Sequence, residues 1–200
     1  DDAEANLPQP FPDSDSLATL QYTGGTTGLP KGVNITHRQL SVNISQREAF
    51  WPTRPNSEVV RCVMPLFHVF ASSMCLHLAV YCSSSLIIQP RYHPEAVLDA
   101  IEHKGVTLLP LGPTIFHGLL ALKRIADVDF STLRTAYSGS APLPQKTLSR
   151  WEALTGCQIL EGYGQTEAGP VLTVNKDNTP IIVASVGVPL PGTQIQIVDV

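Results

Sequence analysis

The chain has 200 residues, 43% apolar and 15% charged, with thirteen Lys and Arg against seventeen Asp and Glu for a formal net charge of −4. That length holds one sizeable core and at most about one and a half typical domains, and the apolar content excludes a charge-driven disordered chain. The acidic balance and the lack of any Lys/Arg run exclude an electrostatic footprint for nucleic acid.

Residues 1–16 carry Pro8, Pro10 and Pro12 among acidic and small polar residues and read as a linker or approach loop. Leu17–Thr23 predicts a short strand entering a glycine-rich loop, and Val33–Ile35 a second one. Thr36 and Gln39 stand at capping-box spacing for a helix to about Glu48, with Leu40 and Ile44 on one face. Val59–Met64 is strand-like, Ala71–Cys82 helix-compatible and Leu86–Gln89 a strand. Pro94 opens a helix that Gly105 ends, with Val97, Ala100 and Ile101 facing inward. Val106–Leu109 is a strand, Pro113 opens a helix to about Ile125, and Leu133–Tyr137 is a strand. Pro144–Leu154 is a helix closed by Gly156, followed by a strand over Gln158–Leu160. This alternation predicts an α/β fold of layered right-handed βαβ units with a mostly parallel sheet. Ile195, Ile197 and Asp199 alternate with Gln196 and Val198, which predicts a further, truncated β-unit over 193–200.

Cys62, Cys75, Cys82 and Cys157 form no CxxC pair, zinc spacing or small disulfide framework. They predict free thiols in a reducing compartment. With no signal peptide at the start, a cytoplasmic location is expected. The most apolar stretch, 62–82, is broken by Pro65, His68, His77 and two serines and reads as a buried core segment, not a membrane span. No basic amphipathic helix marks a membrane surface. A chain that starts without Met and stops inside a strand-like run is expected to be a fragment of something longer.

Ligands of open α/β sheets bind beyond the carboxyl ends of the strands, and three segments are expected there. The first is Thr23-Gly24-Gly25-Thr26-Thr27-Gly28-Leu29-Pro30-Lys31-Gly32. Its glycines let backbone N–H groups turn toward an anion, its threonines add hydroxyl donors and Lys31 adds a point charge. A plain β-hairpin turn is the competing reading. The second, Tyr137-Ser138-Gly139-Ser140-Ala141-Pro142-Leu143, has a glycine and small residues that admit a flat ring against backbone, or is an ordinary strand-to-helix loop. In the third, Glu161-Gly162-Tyr163-Gly164-Gln165-Thr166-Glu167, an exposed tyrosine can stack on a base. Thr166 and Glu167 then offer a hydroxyl for an oxyanion and a carboxylate for a metal, or merely cap a helix.

Together these strings resemble the signature elements of the adenylate-forming superfamily of acyl-CoA synthetases, luciferases and peptide-synthetase adenylation domains. Gly24 stands where the family usually has serine, a form that looks like bacterial long-chain fatty-acid CoA ligases. Pro65-Leu66-Phe67-His68 and Ser185–Gly192 resemble two further family elements, the second a structural turn. The chain thus resembles part of the family's large N-terminal domain, with the match running over 17–192.

The resemblance implies ATP, Mg²⁺ and CoA as cofactors and a carboxylate as substrate, a fatty acid by the loop form. It implies phosphate binding by Thr23, Gly24, Gly25, Thr26, Thr27, Gly28 and Lys31, and adenine contact by Gly139, Ser140, Ala141 and Pro142. Nucleotide contact falls to Glu161, Gly162, Tyr163, Gly164, Gln165 and Thr166, with Tyr163 packed on adenine and Thr166 on phosphate. Glu167 would hold the metal, His68 would sit between nucleotide and acyl pocket, and Lys31, Thr166 and Glu167 would be the catalytic group. Phe67, Phe70, Met74 and Leu76 suit either a hydrocarbon pocket or a core. The ribose-binding aspartate segment and the mobile C-terminal lysine of the family have no counterpart here, so the 200 residues alone are expected to be inactive. An aryl or amino-acid adenylation domain and a non-catalytic nucleotide-binding module remain the alternatives, as does peripheral membrane contact by a longer parent.

Overall fold

A computed structural model describes residues 11–24, 29–176, 180 and 182–199. Strands β1 (Leu17–Thr23) and β2 (Lys31–Thr36) pair antiparallel as a two-stranded sheet. The glycine-rich segment therefore joins a hairpin and does not follow a strand of the main sheet. Residues 24–30 are too few for a crossover, which takes a dozen or more. Thr36 then caps α1 (His37–Phe50), its Oγ1 accepting from the Gln39 N–H at 3.2 Å while its own N–H donates to Gln39 Oε1 at 2.7 Å. The buried side chains of α1 are Asn43, Ile44 and Arg47, with the expected Leu40 only half-buried.

The seven-stranded sheet runs β4-β3-β5-β6-β7-β8-β9. Its strands are β3 (Val59–Cys62), β4 (Ser85–Ile88), β5 (Leu108–Leu111), β6 (Thr135–Ser138), β7 (Ile159–Gly164), β8 (Val171–Val174) and β9 (Val188–Pro189). The five from β4 to β7 pair parallel, whereas β8 and β9 extend the sheet antiparallel. Parallel neighbours need helical crossovers, and both faces are covered. On one face α4 (Pro94–Lys104), α5 (Pro113–Leu120) and α6 (Gln145–Thr155) pack Ile101, Phe116 and Trp151 onto Leu109, Ala136 and Ile159. On the other, α2 (Val69–Ala71), a π-helical turn (Ser72–His77) and α3 (Leu78–Tyr81) pack Met74, Cys75 and Leu78 with Leu108, Tyr137 and Leu160. Alternate residues of one strand thus serve opposite cores, which is why the strands read as unbroken apolar runs.

Gly105 (φ 63°) and Gly156 (φ 67°) end α4 and α6 in the left-handed region, as the sequence predicts. Three expectations are corrected. The helix opened by Pro113 stops at Leu120, and Lys123–Asp127 forms a 3₁₀ turn instead. From that turn Arg124 reaches Asp99 (2.5 Å) and Glu102 (2.6 Å) of α4, a tertiary pairing invisible to local periodicity. The fifth strand lies two residues later than predicted, taking in Pro110. The alternation over 193–199 forms no strand: no neighbouring strand pairs with it, and Ile197 is 94% exposed. Among the described residues no helix is long and apolar enough to cross a membrane, and the four cysteines are free and buried.

The amino ends of β3, β5 and β6 are tied by Glu58, whose carboxylate accepts from the Arg54 N–H (2.9 Å), from Thr107 Oγ1 and from Arg134 Nη2 (2.6 Å). Burial pushes this carboxyl up, but the three donors together outweigh it and hold the group below the usual 4.5. Its stabilisation is therefore complete above the unfolded-state value and lost as pH falls through the lower folded one. Acid titration of stability should show this loss below about pH 4.5, and Glu58→Gln should remove that part of the pH dependence while lowering stability at neutral pH.

Candidate functional site

β6 and β7 deliver two of the motif segments to the same edge of the sheet, and a cavity of about 280 Å³ opens there. The second segment supplies Gly139 and Ser140 to its lining, and the third supplies Gly162, Tyr163, Gly164, Gln165, Thr166 and Glu167. His68, Val69, Phe70 and Met74 enter from the start of the helical layer, Tyr137, Leu160 and Val171 from the sheet, and Pro170 from just before β8. The lining thus combines apolar side chains with the hydroxyl of Thr166 and the carboxylate of Glu167.

Local backbone demands explain the glycines. A Cβ on Gly162 would lie 2.8 Å from the Thr173 carbonyl oxygen, and one on Gly164 only 2.4 Å from that of Pro170. Both glycines are required by the close approach of β8, with Tyr163 held between them through its N–H to Thr173 Oγ1 (3.3 Å). The Tyr163 ring stays 42% exposed, available to stack on a planar group. Gly139 packs against Phe70, where a Cβ would come within 3.3 Å of the ring. The next residue, Ser140, sits in the left-handed region at φ 71°, a conformation that a non-glycine residue adopts only where its surroundings impose it.

Glu161 is buried and faces away from the cavity, its Oε1 accepting from the Leu143 N–H at 2.8 Å. Burial raises its carboxyl, with the Leu143 N–H opposing. It braces the 139–143 turn rather than lining the site. Ala141, Pro142, Thr23, Gly24 and Lys31 are likewise absent from the lining. Lys31 is exposed at the start of β2, opposite Thr23. Gly25, Thr26, Thr27 and Gly28 lie outside the described residues.

Past β7 the chain makes a 3₁₀ turn, Thr166–Ala168, closed by Gly169 (φ 93°) and by the Gln165 N–H to the Pro170 carbonyl (2.9 Å). Glu167 is exposed on this turn and forms no ion pair among the described residues. His68 is exposed at the rim, its Nδ1 accepting the Phe70 N–H at 3.2 Å to cap α2, which leaves Nε2 for a ligand. The preceding Phe67 carbonyl accepts from Nε2 of the buried Gln21 in β1, tying the hairpin to the rim. Of the four apolar candidates, Phe70 and Met74 line the cavity; Phe67 is 80% exposed and Leu76 stands outside it.

Sequence reasoning missed Leu160 and Val171 as lining residues, because each sits in an apolar run that a core explains equally well, and it named Tyr137 only as the first residue of the second segment, without a role. It also missed the support behind them. Arg47 of α1 donates through Nη2 to the Tyr137 hydroxyl at 3.0 Å, under a ring that burial holds above its ordinary pKa.

All 200 residues match the family described as AMP-binding enzyme. The chain belongs to that family. It is 36% identical over 190 residues to the long-chain-fatty-acid–CoA ligase of Salmonella typhimurium, covering 93% of this chain and 34% of that one. It is 34% identical over 168 residues to 4-coumarate–CoA ligase 1 of Oryza sativa subsp. japonica, covering 81% and 29%. Among solved structures, ATP-bound MatB from Rhodopseudomonas palustris superposes with a TM-score of 0.82 at 31% identity, over 90% of this chain and 35% of that one. The chain thus spans about a third of the length of the curated relatives it matches. The α/β architecture and mostly parallel sheet are those of an adenylate-forming N-terminal domain.

The described residues hold no group of three or more His, Cys, Asp or Glu able to cage a metal ion by themselves. The exposed carboxylate of Glu167, in the cavity lining and without an ion pair among the described residues, fits a Mg²⁺ ion held chiefly by substrate phosphates, the usual mode for this hard, reluctantly dehydrated cation. Glu167 is the residue that would hold it.

Proposed function

We propose that the full-length protein is an ATP-dependent acid–thiol ligase acting on a fatty acid. A carboxylate oxygen attacks the α-phosphorus of ATP and the bond to pyrophosphate breaks, giving acyl-AMP; the CoA thiol then attacks the acyl carbon and releases AMP. The observation that carries this reading is that one cavity is lined both by the apolar side chains of Phe70, Met74, Leu160 and Val171 and by Thr166 and Glu167, with the exposed His68 in the same lining. Charge builds on the departing pyrophosphate and on the α-phosphoryl oxygens, and preorganised donors there lower the barrier. In this reading Thr166 and Lys31 meet that charge, together with the N–H and hydroxyl donors of the glycine-rich segment. Tyr163 stacks on the adenine, with Gly139 and Ser140 against its edge. Bound Mg²⁺, on Glu167 and the phosphates, would supply further positive charge to the leaving group.

The long-chain ligase likeness and the apolar cavity wall support a fatty acid over an aryl acid, although the coumarate ligase likeness makes an aryl acid the second reading. The test is ATP–pyrophosphate exchange by the full-length protein across a panel of carboxylates. Exchange with medium or long fatty acids is the expected result. Exchange confined to aromatic or amino acids would keep the chemistry and overturn the substrate. Tight ATP binding with no exchange on any carboxylate would leave a binding module in a ligase fold.

A further inference from the structure

Helix α1 buries a polar stripe where a core-facing helix ordinarily buries an apolar one. Asn43 and Arg47, one turn apart, are 5% and 3% exposed. The Asn43 amide spans 128 positions of sequence to form both hydrogen bonds of a strand-like pair with one residue of β8. Its Nδ2 donates to the Val171 carbonyl at 2.7 Å, and its Oδ1 accepts from the Val171 N–H at 3.1 Å. Val171 is the first residue of β8, three positions after the turn that carries Thr166 and Glu167, and it lines the cavity. The turn is anchored at its near end by β7 and at its far end by this clamp. Gly169, between them, lies against the Gln39 backbone of the same helix.

We infer that Asn43 is a positioning residue for the Thr166–Glu167 turn. A polar side chain in a core costs stability unless its hydrogen bonds are made, and these two bonds are to the backbone of one cavity residue. An apolar side chain at 43 could fill the same volume but would leave the Val171 N–H and carbonyl without their partners. Because α1 follows β2 directly, the clamp also fixes the turn relative to the strand that begins with Lys31. The two groups read as facing the phosphates are thereby held to one another through α1. This inference rests on the ligase reading for its kinetic consequences, but not for its geometry.

The test uses the full-length protein with Asn43→Ala and Asn43→Asp, the latter keeping the acceptor for the Val171 N–H and losing the donor to its carbonyl. Expected for Asn43→Ala are a 10- to 100-fold fall in kcat of pyrophosphate exchange, roughly the loss that follows an ångström-scale misplacement, and weaker binding of ATP measured without carboxylate. The KM for the carboxylate should change less than the affinity for ATP, since of the apolar lining only Val171 touches the clamp, while Phe70, Met74 and Leu160 belong to other elements. Combining Asn43→Ala with a Thr166→Ala, Glu167→Ala double variant should add little to the loss of ATP affinity in that double variant alone, because residues that act through one another are non-additive. Folded Asn43→Ala or Asn43→Asp with unchanged ATP affinity and kcat, or an effect on ATP affinity that multiplies with that of the Thr166→Ala, Glu167→Ala double variant, would overturn the inference. If Asn43→Ala does not fold, the same readouts on Asn43→Asp decide it. Weakened ATP binding in a protein that never exchanges pyrophosphate would sustain the clamp and sink the ligase reading.

Discussion

Glu167→Ala in the full-length protein is expected to lower carboxylate-dependent pyrophosphate exchange by about 10²–10³-fold, a barrier increase on the order of 3 kcal/mol. The side chain is exposed on a short 3₁₀ turn and makes no ion pair among the described residues, so its removal leaves little structural cost. A loss that large from a surface carboxylate can arise only from what the carboxylate binds. Raising the Mg²⁺ concentration should recover part of the Glu167→Ala rate, whereas Glu167→Gln, which keeps shape and loses charge, should behave like alanine. Full activity in both variants would remove the metal role from this residue. The thermal midpoint should move little in either.

Trp151→Ala should produce the largest change in stability, about 3–5 kcal/mol. Trp151 is fully buried and stands edge-on to Phe116 (5.0 Å between centroids) and Phe130 (5.8 Å), locking α6 onto α5 and the sheet. Truncation removes the transfer free energy of a large aromatic and leaves a cavity that three surrounding elements cannot close by small shifts. Its buried indole N–H meets no oxygen or nitrogen acceptor, only the soft sulfur of Cys157. Trp151→Phe, which deletes that poorly satisfied donor and keeps most of the ring, should therefore cost far less than alanine. Denaturant unfolding of the pair checks this, and equal losses would mean that the pyrrole part of the indole with its N–H, which both variants lack, sets the cost. The site lies on the opposite face of the sheet from this core, so activity per folded molecule should be retained by both.

Much of the fold was open to reading because its signals are local. The capping box at Thr36 and Gln39, the prolines that open α4 and α5, and the αL glycines that close α4 and α6 act within a few residues of themselves. The candidate site was legible for a related reason: Gly162 to Glu167 are consecutive, so the string identifies itself without help from any distant part of the chain. It does not separate residues that line the cavity from those that support it. Glu161 belongs to the second kind, since its carboxylate is spent on the Leu143 N–H. The two glycines of the same motif serve β8, a strand that no local signal marks.

By itself the sequence determined most of the element types, the mostly parallel sheet and the family. These follow from period, caps and contiguous motifs, all short-range properties of the chain. Only the tertiary structure decided that the glycine-rich segment belongs to a separate hairpin, that α1 buries Asn43 and Arg47, and that Val171 walls the cavity. Those facts depend on partners 90 and 128 positions away. A polar residue on a helix face reads as solvent-facing until the strand that satisfies its hydrogen bonds is in place.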